Sequence, residues 1–168
     1  MNPALFWIPG PWRGKLAVAA RPRGGDWLED EAGGWRLSGV DVVVSLLEKD
    51  EEAQLELEKE RDAAESSGVQ FISFPIPDRG VPLSTRDTLS LLSRIASALE
   101  EGRNVAVHCR QGVGRSGLIA ASLLVRSGMA VEAAIRVVSA ARGQSIPETD
   151  AQLQWIMHLP AEHLTLAS

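Results

Sequence analysis

The sequence predicts an α/β protein with a mostly parallel, twisted central sheet flanked by helices. Short apolar runs alternate with longer amphipathic segments, a pattern typical of parallel strands joined by helices. The most regular run, residues 39–47 (GVDVVVSLL), has the continuous hydrophobicity of a strand buried on both faces. With 168 residues, of which 45% are hydrophobic and 23% charged, the chain has the size and composition of one globular domain. We therefore expect residues 1–168 to form a single domain.

The N-terminal half contains four candidate strands and two candidate helices. The candidate strands are residues 4–8, 15–20, 39–47 and 69–76. A short helix follows the second strand, with Asp26 and Glu29 as a candidate capping box. Gly33 and Gly34 are expected to weaken this helix soon afterwards. The acidic segment after the third strand is expected to form one helix that ends at about Ser66.

The C-terminal half contains one more candidate strand and four candidate helices. A loop, PDRGVP, precedes a helix from Ser84 to Glu101, for which Ser84 and Asp87 form a candidate capping box. The strand NVAVH then ends just before Cys109, the one cysteine of the chain. The remaining candidate helices are residues 116–127, 130–142 and 147–159.

The charge pattern argues against several classes of partner. The net charge is −5, and residues 48–65 alone contain nine acidic and three basic residues. We expect this run to be a solvated helix face, with an acidic docking surface as the alternative. No basic stripe indicates nucleic-acid binding, and no apolar run approaches the roughly 20 residues that cross a bilayer. Because the N-terminus also lacks the pattern of a secretory signal, we expect a cytoplasmic location.

Two phosphate-binding patterns overlap in residues 105–124, VAVHCRQGVGRSGLIAASLL. Residues 112–117 match the Gly-x-Gly-x-x-Gly of a dinucleotide-binding turn. That site needs an acid about 20 residues later at a strand end, whereas Glu132 opens a helical segment. A nucleoside triphosphate loop needs Gly-Lys-Ser/Thr, and the chain has Gly114-Arg115-Ser116 instead. Both nucleotide interpretations are therefore disfavoured.

The second pattern is a cysteine followed by five residues and an arginine. Gly112 and Gly114 allow a tight turn whose N–H groups converge on one anion, and the following helix adds its positive end. Arg115 can grip two phosphate oxygens with its planar fork. The same positive groups should lower the pKa of Cys109. The spacing therefore predicts a thiolate nucleophile inside a phosphate-binding loop.

These residues resemble a known family. VAVHCRQGVGRSG is similar to the His-Cys-x5-Arg-Ser/Thr signature of the cysteine-dependent protein tyrosine phosphatases, in particular their dual-specificity branch. FPIPDRGVP resembles the general-acid loop of that family, and RGQSIPETDAQ resembles its glutamine-bearing third loop. The resemblance covers residues 39–157. It implies a phosphatase of phosphomonoesters, with phosphotyrosine in proteins first and phosphoserine or phosphothreonine second, and with no metal or cofactor.

The resemblance also implies roles for individual residues. Cys109 would attack phosphorus to give a cysteinyl-phosphate, and Arg115 would bind the phosphoryl oxygens. Ser116 would donate to the departing sulfur, with a helix N-cap as an additional role. His108 would hold the loop and tune the thiolate, facing away from the substrate. Asp78 would be the general acid, with Asp87 in reserve.

Further residues are candidate substrate contacts. Gln152 would orient the hydrolytic water, with Glu148 as the alternative. The family's tyrosine-specific members wall a deep phosphotyrosine pocket with a tyrosine, and this chain has none, so the resemblance implies a shallower or differently lined cleft. The five tryptophans are candidate lining residues, although a core or interface position is favoured for each. The remaining contacts expected in the loop are Arg110, Gln111, Gly112, Val113 and Gly114.

Two other functions stay open. One is a phosphatase for a non-protein phosphate, such as a nucleotide, an RNA end, a sugar or a lipid. An inositol lipid is disfavoured because the loop contains no lysine. The other is a phosphate-binding module without turnover, although such a module has commonly lost one of the three groups that this chain retains, Cys109, Arg115 and Asp78.

Overall fold

Five strands form the central sheet of the computed structural model, which describes residues 4–160. The order in the sheet is β1-β2-β5-β3-β4. Only the β1–β2 pair is antiparallel among the pairs described, so the prediction of a mostly parallel sheet is confirmed. The strands are β1 (Phe6–Ile8), β2 (Leu16–Ala19), β3 (Val42–Ser45), β4 (Gln70–Ser73) and β5 (Val105–His108).

Helices cover both faces of the sheet. They are α1 (Leu28–Leu37), α2 (Lys49–Gln54), α3 (Glu60–Ser66), α4 (Thr85–Glu100), α5 (Gly114–Arg126), α6 (Val131–Arg142) and α7 (Asp150–Met157). Val105 and Val107 of β5 pack in one core with α4, α5, α6 and α7, whereas Ala106 packs in a second core with α1 and α3. Successive side chains of a strand point to opposite faces, so a strand covered on both sides is apolar throughout. This is the three-layer α/β architecture that the sequence predicts.

The acidic segment departs from the prediction of one helix. It forms two short helices, α2 and α3, and Glu56 between them has a φ of +56°. Such a backbone conformation interrupts a right-handed helix. Leu57 in this break is buried, and so are Glu51 and Glu60. The expectation of a wholly solvated acidic face is therefore wrong, because two of its carboxylates turn into the protein.

Two local predictions near helix starts are also wrong. No side chain caps α1, which follows a 3-10 turn at Gly25–Trp27 and continues through Gly33 and Gly34. α5 begins at Gly114, so Ser116 lies in its first turn and is not the N-cap. The N-cap of α4 agrees with the sequence, because the hydroxyl of Ser84 accepts from the N–H of Asp87.

The topology brings three loops together at one edge of the sheet. β3, β4 and β5 run parallel, so the segments that follow them leave from the same carboxyl edge. These segments carry Glu51, Asp78 and Cys109 respectively. Crevices at the carboxyl ends of parallel strands are where open α/β sheets bind ligands. Within residues 4–160, no helix has both the length and the apolar character needed to span a bilayer.

Candidate active site

Cys109 lies at the bottom of the loop between β5 and α5. Its side chain is buried, and its Sγ lies 3.0 Å from the Ser116 hydroxyl and 3.3 Å from the backbone nitrogen of Gly112. Burial by itself would raise the pKa of the thiol. The hydroxyl and backbone N–H of Ser116, the charge of Arg115 and the N–H of Gly112 outweigh this effect and lower the pKa of Cys109 below its ordinary value. The loop therefore favours a thiolate.

The turn at Gly112 requires glycine. Its φ is +73°, and a Cβ atom there would lie 2.6 Å from the carbonyl carbon of Ala19 at the end of β2. Arg142 of α6 holds the outer side of this turn, since its Nε donates to the Gly112 carbonyl at 2.9 Å and its Nη2 donates to the Gln111 carbonyl at 3.1 Å. With these carbonyls held outward, the N–H of Gly112 points to the sulfur. Nothing local in the sequence indicates this contribution of Arg142.

Arg115 is buried beside the sulfur and is held by a carboxylate. Its Nη1 and Nη2 donate to the two oxygens of Glu51 at 2.7 and 2.9 Å. Nη1 also donates to the Ile76 carbonyl at 2.9 Å, and Nη2 donates to Asp78 Oδ1 at 3.1 Å. The guanidinium thus connects the cysteine loop, the acidic segment and the loop that carries Asp78. A bidentate pair of this kind fixes the plane of the guanidinium.

Glu51 also orders its own helix and a second arginine. One of its oxygens accepts from the backbone N–H of Glu48, which completes a capping box at the start of α2. The other oxygen accepts from Arg110 Nε at 3.3 Å. Burial would raise the pKa of Glu51, but the hydrogen bonds from Arg115 and Glu48 and the charge of Arg115 lower it below its ordinary value. Glu51 is therefore a charged partner of the loop.

His108 at the end of β5 faces away from the pocket, as the sequence predicts. Its Nε2 lies 2.5 Å from Glu60 Oε2, and its Nδ1 lies 3.3 Å from the Cys109 carbonyl oxygen. The indole of Trp35 stacks on the imidazole with ring centroids 6.3 Å apart. Burial would lower the pKa of His108, but the charge and hydrogen bond of Glu60 raise it above its ordinary value.

The loop that carries Asp78 is tied to the third loop. Asp78 is half exposed, with 52% of its side chain accessible. Arg79 forms an ion pair with Glu148 at 2.9 Å, and Gln152 Nε2 donates to the Gly80 carbonyl at 3.0 Å. Asp78 therefore lines the same pocket as Cys109, in a loop that is held to the third loop through Arg79 and Gly80. The reserve acid, Asp87, has its backbone N–H in the cap of α4 and does not line the pocket.

Gln152 is buried outside the pocket and hydrogen-bonds backbone groups of the surrounding loops. Its side chain is fully buried, and its Oε1 accepts from the N–H groups of Glu148 and Thr149 at 3.0 and 3.1 Å. The same side chain forms the capping box of α7 with Thr149. It does not line the pocket, whereas Glu148 does. This placement favours a role in holding the Asp78 loop over the predicted contact with water.

The pocket above the sulfur has a volume of about 120 Å³. Val113, predicted to contact substrate, instead packs its side chain into the core, because the turn directs it inward. Among the described residues that line the pocket, none is a tryptophan. Within residues 4–160, no group of three or more His, Cys, Asp and Glu side chains is arranged to hold a metal ion. The lining consists of Asp78, Arg79, Cys109, Arg110, Gln111, Gly114, Arg115 and Glu148.

Comparison with known proteins decides the family. The family model described as "Polymorphic toxin system, DSP-PTPase phosphatase" matches residues 19–129, more than half of the chain. The chain belongs to the DSP-PTPase phosphatase family. The resemblance seen in the sequence is thereby confirmed, and the chain is a member of the cysteine-based tyrosine and dual-specificity phosphatase family.

Relatives of this phosphatase agree in sequence and in fold. Protein tyrosine phosphatase domain-containing protein 1 of Bos taurus is 34% identical over 128 residues, which are 71% of this chain and 16% of that protein. The protein 197R of Invertebrate iridescent virus 6 is 35% identical over 94 residues, which are 54% of this chain, so the chain likewise spans only 34% of that protein. The structure of Tk-PTP in the active form is 30% identical, with a TM-score of 0.75 over 95% of this chain and 97% of that one. Kinase-associated phosphatase shares the fold, with a TM-score of 0.86 over 100% and 98% of the two chains at 19% identity.

Three residues that organise this site could not be identified from the sequence. Glu51 and Glu60 look like any other acid in the acidic segment, and their partners lie 64 and 48 positions further along the chain. Arg142 lies 30 positions beyond the carbonyl that it contacts. One signal was present for Glu51, since it stands three positions after Glu48 at a helix start, which is the spacing of a capping box.

Proposed function

We propose that this phosphatase hydrolyses phosphomonoesters through a cysteinyl-phosphate on Cys109, with phosphotyrosine in proteins as the substrate. The observation that carries the proposal is the surroundings of Cys109 Sγ. The sulfur lies at the base of a pocket, 3.0 Å from the Ser116 hydroxyl, and the guanidinium of Arg115 lines the same pocket. A tetrahedral dianion placed there would meet the nucleophile, the positive charge of Arg115 and the carboxyl group of Asp78, which lines the same pocket next to Arg115.

In the first step the thiolate of Cys109 attacks phosphorus. The S–P bond forms while the bond from phosphorus to the ester oxygen breaks, and Asp78 gives a proton to that leaving oxygen. Arg115 and the N–H groups of the loop bind the three remaining oxygens, where negative charge concentrates in the transition state. Because Glu51 already fixes Arg115, little of this orientation has to be made during the reaction.

In the second step water attacks phosphorus and the S–P bond breaks. Asp78, now a carboxylate, accepts the proton of the water, and the products are inorganic phosphate and the thiolate. The Ser116 hydroxyl donates to the sulfur as its charge returns. The same residues that lower the pKa of the thiol therefore also make the sulfur a better leaving group.

Phosphotyrosine is favoured by the lining of the pocket and by the relatives. Arg79 and Arg110 line the pocket, where they can meet the backbone carbonyls or acidic side chains of a peptide. Several relatives are named tyrosine phosphatases, and TpbA of P. aeruginosa, a neighbour in fold at 21% identity, has been solved in complex with pTyr. Phosphoserine and phosphothreonine peptides are the second substrate class that we propose.

The test combines matched variants with a quenched reaction. With an aryl phosphate, Cys109→Ser should abolish turnover. Asp78→Ala should lower kcat by about 10² to 10⁴-fold, while Asp87→Ala, an exposed acid on α4, should leave it unchanged. Asp78→Ala should retain bound substrate, and acid quenching of the wild type during turnover should trap phosphate on Cys109, detectable by mass spectrometry. Undiminished turnover in Cys109→Ser would end the proposed mechanism.

A substrate panel then separates the functions that the sequence leaves open. Equal concentrations of phosphotyrosine, phosphoserine and phosphothreonine peptides are compared with a nucleotide, a sugar phosphate and an inositol phosphate by phosphate release. We expect the highest kcat/KM for the phosphotyrosine peptide. A higher value for a non-protein phosphate would replace the proposed substrate class. Binding of phosphate with no turnover of any ester would indicate a binding module.

A further inference from the structure

A buried acid–base pair lies directly behind the nucleophile. The side chains of His108 and Glu60 are 2% and 1% exposed, and Nε2 and Oε2 are 2.5 Å apart. His108 precedes Cys109 in the chain, and its Nδ1 faces the Cys109 carbonyl oxygen. Neither side chain lines the pocket. Any influence of this pair on chemistry therefore passes through the cysteine loop.

The contacts of both ring nitrogens favour the imidazolium form of His108. A neutral histidine has one N–H donor and one acceptor nitrogen, whereas the imidazolium has two donors. Here both nitrogens face oxygens that accept, a carbonyl on one side and a carboxylate on the other. With Glu60 as a carboxylate, only the imidazolium satisfies both contacts, and the raised pKa of His108 agrees with this.

Stability alone is a weak reason for this pair. Replacing a buried ion pair by apolar residues of similar volume is often neutral or stabilising. Burial of Glu60 has a second free-energy cost, because within residues 4–160 its Oε1 is buried with no hydrogen-bond partner. A costly group directly behind the nucleophile points to a role in the chemistry of the sulfur.

We propose that Glu60 is a positioning residue for the nucleophile: it keeps His108 positively charged behind Cys109 and so stabilises the thiolate. The inference rests on the proposed function, in that Cys109 is taken as the attacking group. Other charged groups also act on the pair. Glu52 on α2 interacts with both His108 and Glu60, and Lys49 and Glu58 act on Glu52. None of these contacts the imidazole, and Glu60 supplies the direct contact.

Coupling between two titrating groups is reciprocal. The thiolate of Cys109 raises the pKa of His108, so the imidazolium must favour the thiolate by the same free energy. Without the Glu60 carboxylate, His108 can lose its proton, because a glutamine can present an N–H to Nε2 as readily as an oxygen. The positive charge behind the loop would then disappear at neutral pH, and the pKa of Cys109 would rise.

The experiment measures the pKa of Cys109 without turnover. Cys109 is the one cysteine in the chain, so the rate of its alkylation by iodoacetamide as a function of pH reports this thiol alone. We expect Glu60→Gln to raise the pKa by about one unit. At pH values below both pKa values, alkylation should then be about tenfold slower than in the wild type. Glu60→Asp, which keeps the charge, should recover part of the difference.

Controls separate charge from fold. Glu58→Gln removes the same charge from an exposed position of the acidic segment, and its profile should match the wild type. In a His108→Gln background, Glu60→Gln should add no further shift, because the effect acts through the imidazole. This double variant also serves if Glu60→Gln alone fails to fold, since two amides can bond each other.

Three results would overturn the inference. They are an unchanged pKa in folded Glu60→Gln, an equal shift in Glu58→Gln, and a shift of the same size in the His108→Gln background. A wild type that shows the expected alkylation profile and variant shifts but hydrolyses no ester would contradict the proposed function and leave this inference intact.

Discussion

At the scale of single residues, Glu51 holds two arginines that face the pocket. Its carboxylate accepts from both terminal nitrogens of Arg115 and from Nε of Arg110. Both partners of the Glu51–Arg115 pair are buried, so water screens their attraction little. The plane of the Arg115 guanidinium, and therefore the direction of its donors, depends on a residue that never touches the phosphoryl group.

Glu51→Gln should weaken catalysis more than it weakens binding of the part of the substrate beyond its phosphoryl group. We expect kcat/KM for an aryl phosphate to fall about a hundredfold, because a displacement of about 1 Å in a positioning group has that effect. The inhibition constant for inorganic phosphate should rise with it. Breaking one side of a buried pair should also lower the free energy of unfolding by about 3 kcal/mol. Steady-state kinetics and urea unfolding measure these changes.

The matched control for Glu51 is its neighbour Asp50, which is exposed in the first turn of α2. Asp50→Asn removes the same charge, and we expect kcat/KM to stay within twofold of the wild type, because a solvent-exposed charge acts weakly. If Asp50→Asn lowered kcat/KM as much as Glu51→Gln, the general charge of the segment, and not the pair with Arg115, would be responsible.

Single residues also show what the sequence can predict. Cys109, Arg115 and Ser116 could be placed together because one short loop contains them all. Glu51 and Glu60 could not, since nine acids stand in residues 48–65 and only the tertiary fold selects which two turn inward. Val113 was misassigned because the direction of a side chain in a turn depends on dihedral angles that spacing does not give.

At the scale of elements, the loop between β5 and α5 is shaped by its contact with β2. Gly112 has a φ of +73°, and its backbone approaches the end of β2 so closely that a Cβ would lie 2.6 Å from the Ala19 carbonyl carbon. Arg142 braces the same turn from α6 and stacks on the ring of Phe6 in β1 at 4.1 Å. Three elements distant in sequence thus hold one turn.

Gly112→Ala should therefore distort the loop. We expect kcat/KM to fall about a hundredfold and the free energy of unfolding to fall by about 2 kcal/mol, because both the positive φ and the backbone contact become unfavourable. Gly33→Ala is the control. Gly33 lies inside α1, and a Cβ added there would have nothing within 4 Å, so this change should raise stability by about 0.5–1 kcal/mol and leave activity unchanged. Equal losses in both variants would contradict this account of Gly112.

The elements themselves were mostly predictable, because hydrophobic periodicity is a local property. The five strands and α4 to α7 appear where the apolar runs indicate them, with ends shifted by a few residues. The error in the acidic segment has a physical cause. Helix propensity favours continuation through residues 55–59, whereas burial of Leu57 and of two carboxylates requires the chain to turn there.

At the scale of the whole molecule, the site joins segments that are far apart in the chain. Arg115 links α5 to the carbonyls of Leu46 and Ile76, which follow β3 and β4. Arg79 and Gly80 in turn reach Glu148 and Gln152 beyond α6. Global unfolding therefore separates every charged pair of the site at once, and the pH dependence of unfolding reports those pairs.

Glu51 and His108 should limit stability on opposite sides of neutral pH. The pKa of Glu51 is lowered from 4.5 in the folded protein, so its contribution is present above pH 4.5 and is lost as pH falls through the folded-state value. The pKa of His108 is raised from 6.5, so its contribution to the free energy of unfolding is complete below pH 6.5 and is lost as pH rises through the folded-state value.

Urea unfolding of Cys109→Ser, which lacks the titrating thiol, should show both losses. Each proton can contribute a slope of at most about 1.4 kcal/mol per pH unit. When Glu51→Gln is added to the Cys109→Ser parent, the plot of unfolding free energy against pH should become flatter only on its acid side. When Glu60→Gln is added instead, the plot should become flatter on its alkaline side. Subtracting the parent from each double variant cancels the contributions of all other titrating groups. An alkaline slope in the Glu60→Gln variant equal to that of the Cys109→Ser parent would mean that His108 is not held protonated by this carboxylate.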